Sequence, residues 1–186
     1  MFKKKHPMKK LLLALSITLF ISASSFSQEK TEINTNQNFN EIKINGIYLI
    51  AGAFEITYER TLSEESGVGI SVFLPFDEDI KDDLNYYISP YYRFYFGKKY
   101  AAGFFVEGFG MLNSTNLYPI FYESSETYGD KITDFALGLG IGGKWVTKSG
   151  FVAELNLGVG RNLFKANEFE DNEIVAKAGI SLGYRF

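Results

Sequence analysis

Ile174-Val175-Ala176-Lys177-Ala178-Gly179-Ile180-Ser181-Leu182-Gly183-Tyr184-Arg185-Phe186 closes the chain, and its reading decides the fold. Ile174, Ala176, Ala178, Ile180, Leu182, Tyr184 and Phe186 fall on one side of a period-2 pattern. Val175, Lys177, Gly179, Ser181, Gly183 and Arg185 fall on the other. A period of two is that of a β-strand with two unlike faces, and a helix would mix the two sets. The preceding segment repeats it, with Phe151, Ala153, Leu155, Leu157 and Val159 opposed to Glu154, Asn156, Gly158 and Gly160. Before that, Phe135, Leu137, Leu139, Ile141 and Trp145 oppose Asp134, Gly138, Gly140, Gly142 and Lys144.

Working towards the N-terminus, five more segments alternate with more noise. They are Tyr100 to Asn113, Asn85 to Phe96, Gly67 to Leu74, Ala53 to Leu62 and Ile42 to Ala51. In the last of these, Ile47 and Leu49 blur the pattern. That makes eight strands, most of them near the roughly 9–11 residues that a tilted membrane strand requires. The even connections are short: Ser63 to Ser66, Gly97 to Lys99 and Lys148 to Gly150. The odd ones after the first are long: Pro75 to Leu84, Ser114 to Lys131 and Lys165 to Glu173. Short turns on one rim and long loops on the other are the layout of an outer-membrane barrel. The first connection, near Gly52, reads as tight and departs from the rule. The fold expected is all-β: an eight-stranded antiparallel up-and-down transmembrane β-barrel behind an N-terminal signal peptide.

Met1 to Lys10 carries five Lys, Leu11 to Ile21 is an apolar run, and small residues stand at Ser25 and Ser27. This is the order of a signal peptide, and the run is shorter than the ~20 residues of a membrane helix. The expected organisation is a signal peptide over 1–27, a polar leader over 28–41 and the barrel over 42–186. Removing the signal takes away five positive charges and no acid, so the net charge goes from −3 to −8. No nucleic-acid partner is expected of so acidic a chain. The only His, His6, leaves with the signal, and the chain has no Cys. Ser-His-Asp and Cys-His nucleophiles, Cys/His zinc sites and disulfides are thereby excluded. No cofactor or metal is expected, and the chain is read as non-enzymatic.

Alternation does not say which face is outside, because a soluble lipocalin-like barrel alternates too. Three features turn the apolar face to lipid. The opposite face mixes Gly and Ser with Glu55, Glu59, Arg93, Glu107, Lys144, Glu154, Lys177 and Arg185, a composition suited to a narrow lumen. Aromatics on the apolar face collect at the short-turn end: Tyr58, Phe94, Phe96, Trp145 and Phe151, with Phe104, Tyr184 and Phe186. Such a ring is an interfacial, here periplasmic, girdle. The chain also ends in a strand with a terminal aromatic. Eight strands enclose side chains rather than a water channel, so Glu55, Glu59, Arg93, Glu107, Lys144 and Glu154 are expected to pair as a lumen charge network. With Gly150 in the left-handed position of a three-residue turn, Thr147 faces Phe151. Lys144 then stands opposite Glu154, and those two are predicted to form a cross-strand ion pair.

The layout resembles the small OmpX and OmpA-transmembrane type of barrel. The ending Gly183-Tyr184-Arg185-Phe186 resembles the C-terminal signal, carried by Tyr184 and Phe186, that barrel-assembly machinery reads. Ile44-Asn45-Gly46, Gly52 and Tyr58-Glu59-Arg60 resemble the opening of the DUF3575 family of Bacteroidota outer-membrane barrels. That resemblance implies a porin-like barrel fold and a cell-envelope location but no reaction. Lipid A enzymes of the PagL and PagP types share the eight-stranded layout but depend on His. Phe186 is expected to close the barrel with no peptidoglycan-anchoring module of the OmpA type after it.

Other motifs yield to plainer readings. Asp77-Glu78-Asp79 with Asp82-Asp83 is a solvated acidic loop rather than an EF-hand, although its carboxylates could meet divalent ions. Glu168, Glu170, Asp171 and Glu173 read the same way. Gly138, Gly140 and Gly142 sit mid-strand with no helix after them, which points to close packing rather than a phosphate loop. The function expected is structural, stabilising the envelope or presenting surface loops. The alternatives are an accessory subunit of a larger outer-membrane complex and a surface adhesin. The expected partners are outer-membrane lipid and lipopolysaccharide, the assembly machinery during insertion, and a protein bound through loop 114–131 with its Tyr118, Phe121, Tyr122 and Tyr128.

Overall fold

A computed structural model describes residues 38–116, 131–164 and 173–186. The expected signal peptide, most of the leader, and the central parts of the loops over 114–131 and 165–173 lie outside these residues. Eight strands form one closed antiparallel barrel in sequence order, each paired with the next and β8 with β1. They are β1 (Asn40–Asn45), β2 (Ala53–Thr61), β3 (Ser66–Pro75), β4 (Leu84–Tyr95), β5 (Gly103–Asn116), β6 (Lys131–Val146), β7 (Phe151–Asn162) and β8 (Ile174–Arg185). The Phe186 amide donates to Asn40 O at 2.8 Å and the Asn40 amide to Phe186 O at 3.0 Å, which joins the first and last strands. Closure removes the unpaired edges that an open sheet would present, except where β1 ends at Asn45 and β8 runs on without it.

The alternation sorts the residues as the period-2 pattern requires. Leu139, Leu157 and Val159 stand on the outer wall at 73%, 64% and 60% exposure. Glu59, Arg93, Lys144 and Glu154, one strand position out of phase with such residues, are buried inside. The lumen also holds Phe73, Tyr87, Tyr91, Tyr95, Phe105 and Phe109, more aromatic bulk than the mixed Gly and charge pattern suggests. Inward glycines on neighbouring strands make room for it. A Cβ on Gly138 or Gly142 would collide with the Phe109 or Phe105 ring, and one on Gly69 with Tyr91. Gly138, Gly140 and Gly142 are therefore packing residues.

Two stretches differ from the expected strands. The pattern predicts one strand over Ile42 to Ala51 and a tight turn at Gly52. The structure ends β1 at Asn45 and continues as a short helix, α1 (Gly46–Ala51). The Asn45 side chain accepts from the Ile47 amide at 3.1 Å, and Gly52 ends the helix at φ 108°. A polar N-cap and a left-handed glycine bracket a helix too short to show a period. At its start β1 includes Asn40 and Glu41, which the polar composition groups with the leader. The second departure is the turn after β4, expected as Gly97 to Lys99. It runs instead to Ala102, so Tyr100 to Ala102 lie outside β5. The long Pro75-to-Leu84 connection contains a second short helix, α2 (Glu78–Asp83), capped by Asp77.

Candidate functional site

The charged lumen is built from the inward positions of seven strands, all but β3. Glu59 on β2 is its hub. It accepts from Lys43 Nζ at 2.8 Å, Arg93 Nη1 at 2.9 Å, Lys144 Nζ at 2.6 Å, and the hydroxyls of Tyr91 at 2.9 Å and of Tyr95. Glu154 on β7 accepts from Lys43 at 2.6 Å and Arg93 at 2.8 Å. Glu107 on β5 takes Arg93 Nε at 2.7 Å and Lys177 at 3.2 Å. The Arg93 guanidinium, at the centre, lies 4.2 Å from the Tyr91 ring centroid and 4.1 Å from that of Phe105. A planar fork with several donors suits such a hub. Each of these charges is almost wholly withdrawn from solvent, so each needs an opposite partner.

The six residues predicted as a charge network are all inside, but their partners differ from the expectation. Lys144 and Glu154 are indeed register neighbours across β6 and β7. They do not form the predicted ion pair with each other. Lys144 bonds Glu41 at 2.9 Å and Glu59, whereas Glu154 bonds Lys43 and Arg93. In a narrow closed barrel the inward side chains converge on the axis. Long side chains thus meet partners across the lumen sooner than their neighbours along the wall. Glu55 stands apart from the ions. It accepts from Asn45 Nδ2 and the Tyr87 hydroxyl, each at 2.6 Å. Glu41 went unseen because it sits in a polar run. Its partner Arg185 lies opposite it in register.

Arg185 also closes one end of the lumen. Its Nε and Nη2 donate to Glu41 Oε1 at 2.8 and 2.6 Å, and its Nη1 and Nη2 to the carbonyls of Tyr100 and Ala101 at 3.0 and 2.9 Å. The Ala101 amide donates to Glu64 O in the neighbouring turn at 2.7 Å. The turn after β4 is thus drawn across the mouth, with Ala101 fully buried against Tyr95 and Phe105. Ala101 takes φ 41°, a left-handed conformation rare for a residue with a Cβ.

At the other end Phe73, Tyr87, Met111 and Ala136 form one apolar cluster on which Tyr48 and Ile80 pack, with the buried Glu55, Asn113 and Asn162 at the same level of the wall. The predicted girdle residues Tyr58, Phe94, Phe96, Trp145 and Phe151, and the terminal Tyr184 and Phe186, are all exposed on the outer wall. Among the described residues no group of His, Cys, Asp and Glu is arranged to hold a metal ion. Among the described residues the lumen is filled by ion pairs, hydrogen bonds and aromatic bulk.

Known proteins share this architecture. The N-terminal β-barrel domain of Pseudomonas aeruginosa OprF is 18% identical over 81% of this chain and 98% of its own, with a TM-score of 0.54. The Yersinia pestis outer membrane protein Ail, determined in a phospholipid bilayer nanodisc, is 18% identical over 81% of this chain and 100% of its own, with a TM-score of 0.39. No curated protein matches in sequence. The closed eight-stranded barrel therefore has the fold of the OprF N-terminal domain. Residues 13–186 match the model of the family described as "Protein of unknown function (DUF3575)", and the chain belongs to that family.

Proposed function

We infer that the protein resides in a bacterial outer membrane as a non-enzymatic barrel that strengthens the envelope and presents its long-loop rim outside. The observation that carries this reading is the inversion of the two faces. Aliphatic side chains cover the outer wall while paired Glu, Lys and Arg fill the middle. In water that wall would expose far more contiguous apolar surface than a monomer tolerates, whereas in hydrocarbon it is at home. The outward run Phe151 to Val159 gives way to Arg161, which pairs with Glu173. Strands tilted about 40° make that run roughly 20 Å tall, close to the core of an outer membrane.

Tyr58, Phe94, Phe96, Trp145 and Phe151 serve as the periplasmic girdle. Tyr184 and Phe186 are what the assembly machinery reads. Cleavage after Ser27 releases the mature chain. The rim, with its acidic α2 and the loop between β5 and β6, faces lipopolysaccharide and any protein partner. The packed lumen favours a structural role over a conduit, because eight strands filled with ion pairs leave no water path. The test is fractionation of cells expressing the full chain. The account expects the protein in the outer-membrane fraction, beginning at Gln28, migrating faster on gels unheated than boiled. Recovery from the soluble periplasm would overturn it.

A further inference from the structure

One part of the wall is not strand. The pairing of β1 with β8 stops at Asn45 and Ser181, and that with β2 stops at Ile44 and Ile56. Above these points β8 from Ile174 to Ile180 has no β1 neighbour, and the gap is filled by α1. Unpartnered backbone facing hydrocarbon is costly, so a helix here calls for a reason. Its own sequence, Gly46-Ile47-Tyr48-Leu49-Ile50-Ala51 followed by Gly52, has a glycine at each end. Ile47, Leu49 and Ile50 point outward, and Ile50 is 91% exposed. Tyr48 points inward, its ring centroid 5.1 Å from that of Phe73, which stacks on Tyr87 at 4.9 Å. The space that Tyr48 fills borders the apolar cluster of Phe73, Tyr87 and Met111, bulk that is unusual in a membrane barrel, whose interior is ordinarily polar.

We propose that α1 is a hinged door in the barrel wall and that the compartment behind it takes the alkyl chain of a single-chain amphiphile from the adjoining leaflet. The Tyr48 ring occupies the site when the door is shut. Swinging α1 outward about Gly46 and Gly52 withdraws the ring and leaves a slot lined by Phe73, Tyr87, Met111 and Val175. The tethers that must yield include the hydrogen bonds of the Tyr48 hydroxyl to Tyr87 and to the backbone at Ala178. Asn45 Nδ2 donates to Ala178 O on β8 at 3.1 Å, and the Gly52 carbonyl accepts from Phe76 and Asp77 at 2.9 and 3.0 Å. The headgroup preference follows from nearby charge. Glu55 is buried beside the slot with neutral donors, and Asp77, Glu78 and Asp79 stand at the rim. An alkylamine is preferred over a fatty acid of the same chain length.

This inference rests on the membrane reading above. Met111 is a convenient reporter, since the other two methionines, Met1 and Met8, precede residue 38. The experiment places the full-length protein, with its Met methyls 13C-labelled, in deuterated phospholipid nanodiscs and titrates in protonated dodecylamine. Nuclear Overhauser cross-peaks are read between the Met111 methyl and the alkyl chain. Cross-peaks are expected, with lauric acid giving weaker ones. Tyr48→Ala should lower the half-saturating concentration about tenfold, as removal of a competing occupant does when the open state is a minor one. Gly46→Ala, which has room for its Cβ, should raise it. Folding of each variant is checked by its heat-dependent gel shift. Folded wild type and Tyr48→Ala without cross-peaks, or with equal midpoints, would overturn the door. Failure of the wild type to insert, seen as Trp145 fluorescence unquenched by brominated lipid, would instead overturn the membrane reading and this inference with it.

Discussion

At the scale of single residues the lumen is a set of large charges held by one another. Glu59 holds three cations and two tyrosines. Glu59→Ala leaves Lys43, Arg93 and Lys144 buried with one partner fewer, and removing one side of a buried pair costs about 3–5 kcal/mol. Urea titration of the barrel folded in lipid vesicles should show a loss of that size. Gly69→Ala tests the packing. Its Cβ would sit 2.7 Å from the Tyr58 carbonyl oxygen as well as on the Tyr91 ring, and overpacking of this kind costs about 1–3 kcal/mol. The same titration reads it. At this scale the sequence revealed which way strand residues face, but not whom they touch, and it put Tyr48 on the outer face with Ile42 and Ile44 although its ring packs inside on Phe73. Alternation put Lys144 and Glu154 inward and opposite, yet both reach past each other across the axis. Phe105 and Phe109 escaped notice because an apolar residue on the lumen face looks like noise in a period-2 pattern.

Secondary elements carry the next set of expectations. The three-residue turn at Lys148 to Gly150 was legible because its chemistry is local. Gly150 takes φ 88°, and the Thr147 amide donates to Phe151 O at 2.9 Å. The turn after β4 was not legible, since what draws Tyr100 to Ala102 inward is Arg185, far away in sequence. Arg185→Ala removes the side chain that spans the closing seam and holds the turn. A Cys placed at Thr61, inside that mouth and 2% exposed, should then react with a water-soluble thiol reagent at least tenfold faster than in the otherwise native chain. Equal rates would show that the turn stays in place unaided. α1 was blurred for another reason. Its apolar residues satisfy both periods over six positions, and only the bracketing Asn45, Gly46 and Gly52 hint at a helix.

For the molecule as a whole, eight strands, their order and the orientation of the faces could be read because one physical demand governs them all. A sheet with no water on its outer side must close and put its apolar residues outward. Phe186→Ala keeps the backbone bonds to Asn40 and removes only the terminal ring proposed as the assembly signal. It should reduce the assembled, heat-shifting fraction in cells, while refolding of the purified variant into vesicles is less affected. The central claim, lipid outside and ions inside, is tested most directly along β7. The chain has no Cys, so nitroxide labels can be attached to single Cys residues at each position from Ala153 to Val159, with the barrel in phospholipid vesicles. Paramagnetic resonance should show high oxygen accessibility at 153, 155, 157 and 159, and immobilised, oxygen-poor labels at 154, 156 and 158. The opposite phase, or labels at 155, 157 and 159 reached by a water-soluble nickel chelate instead of oxygen, would contradict it.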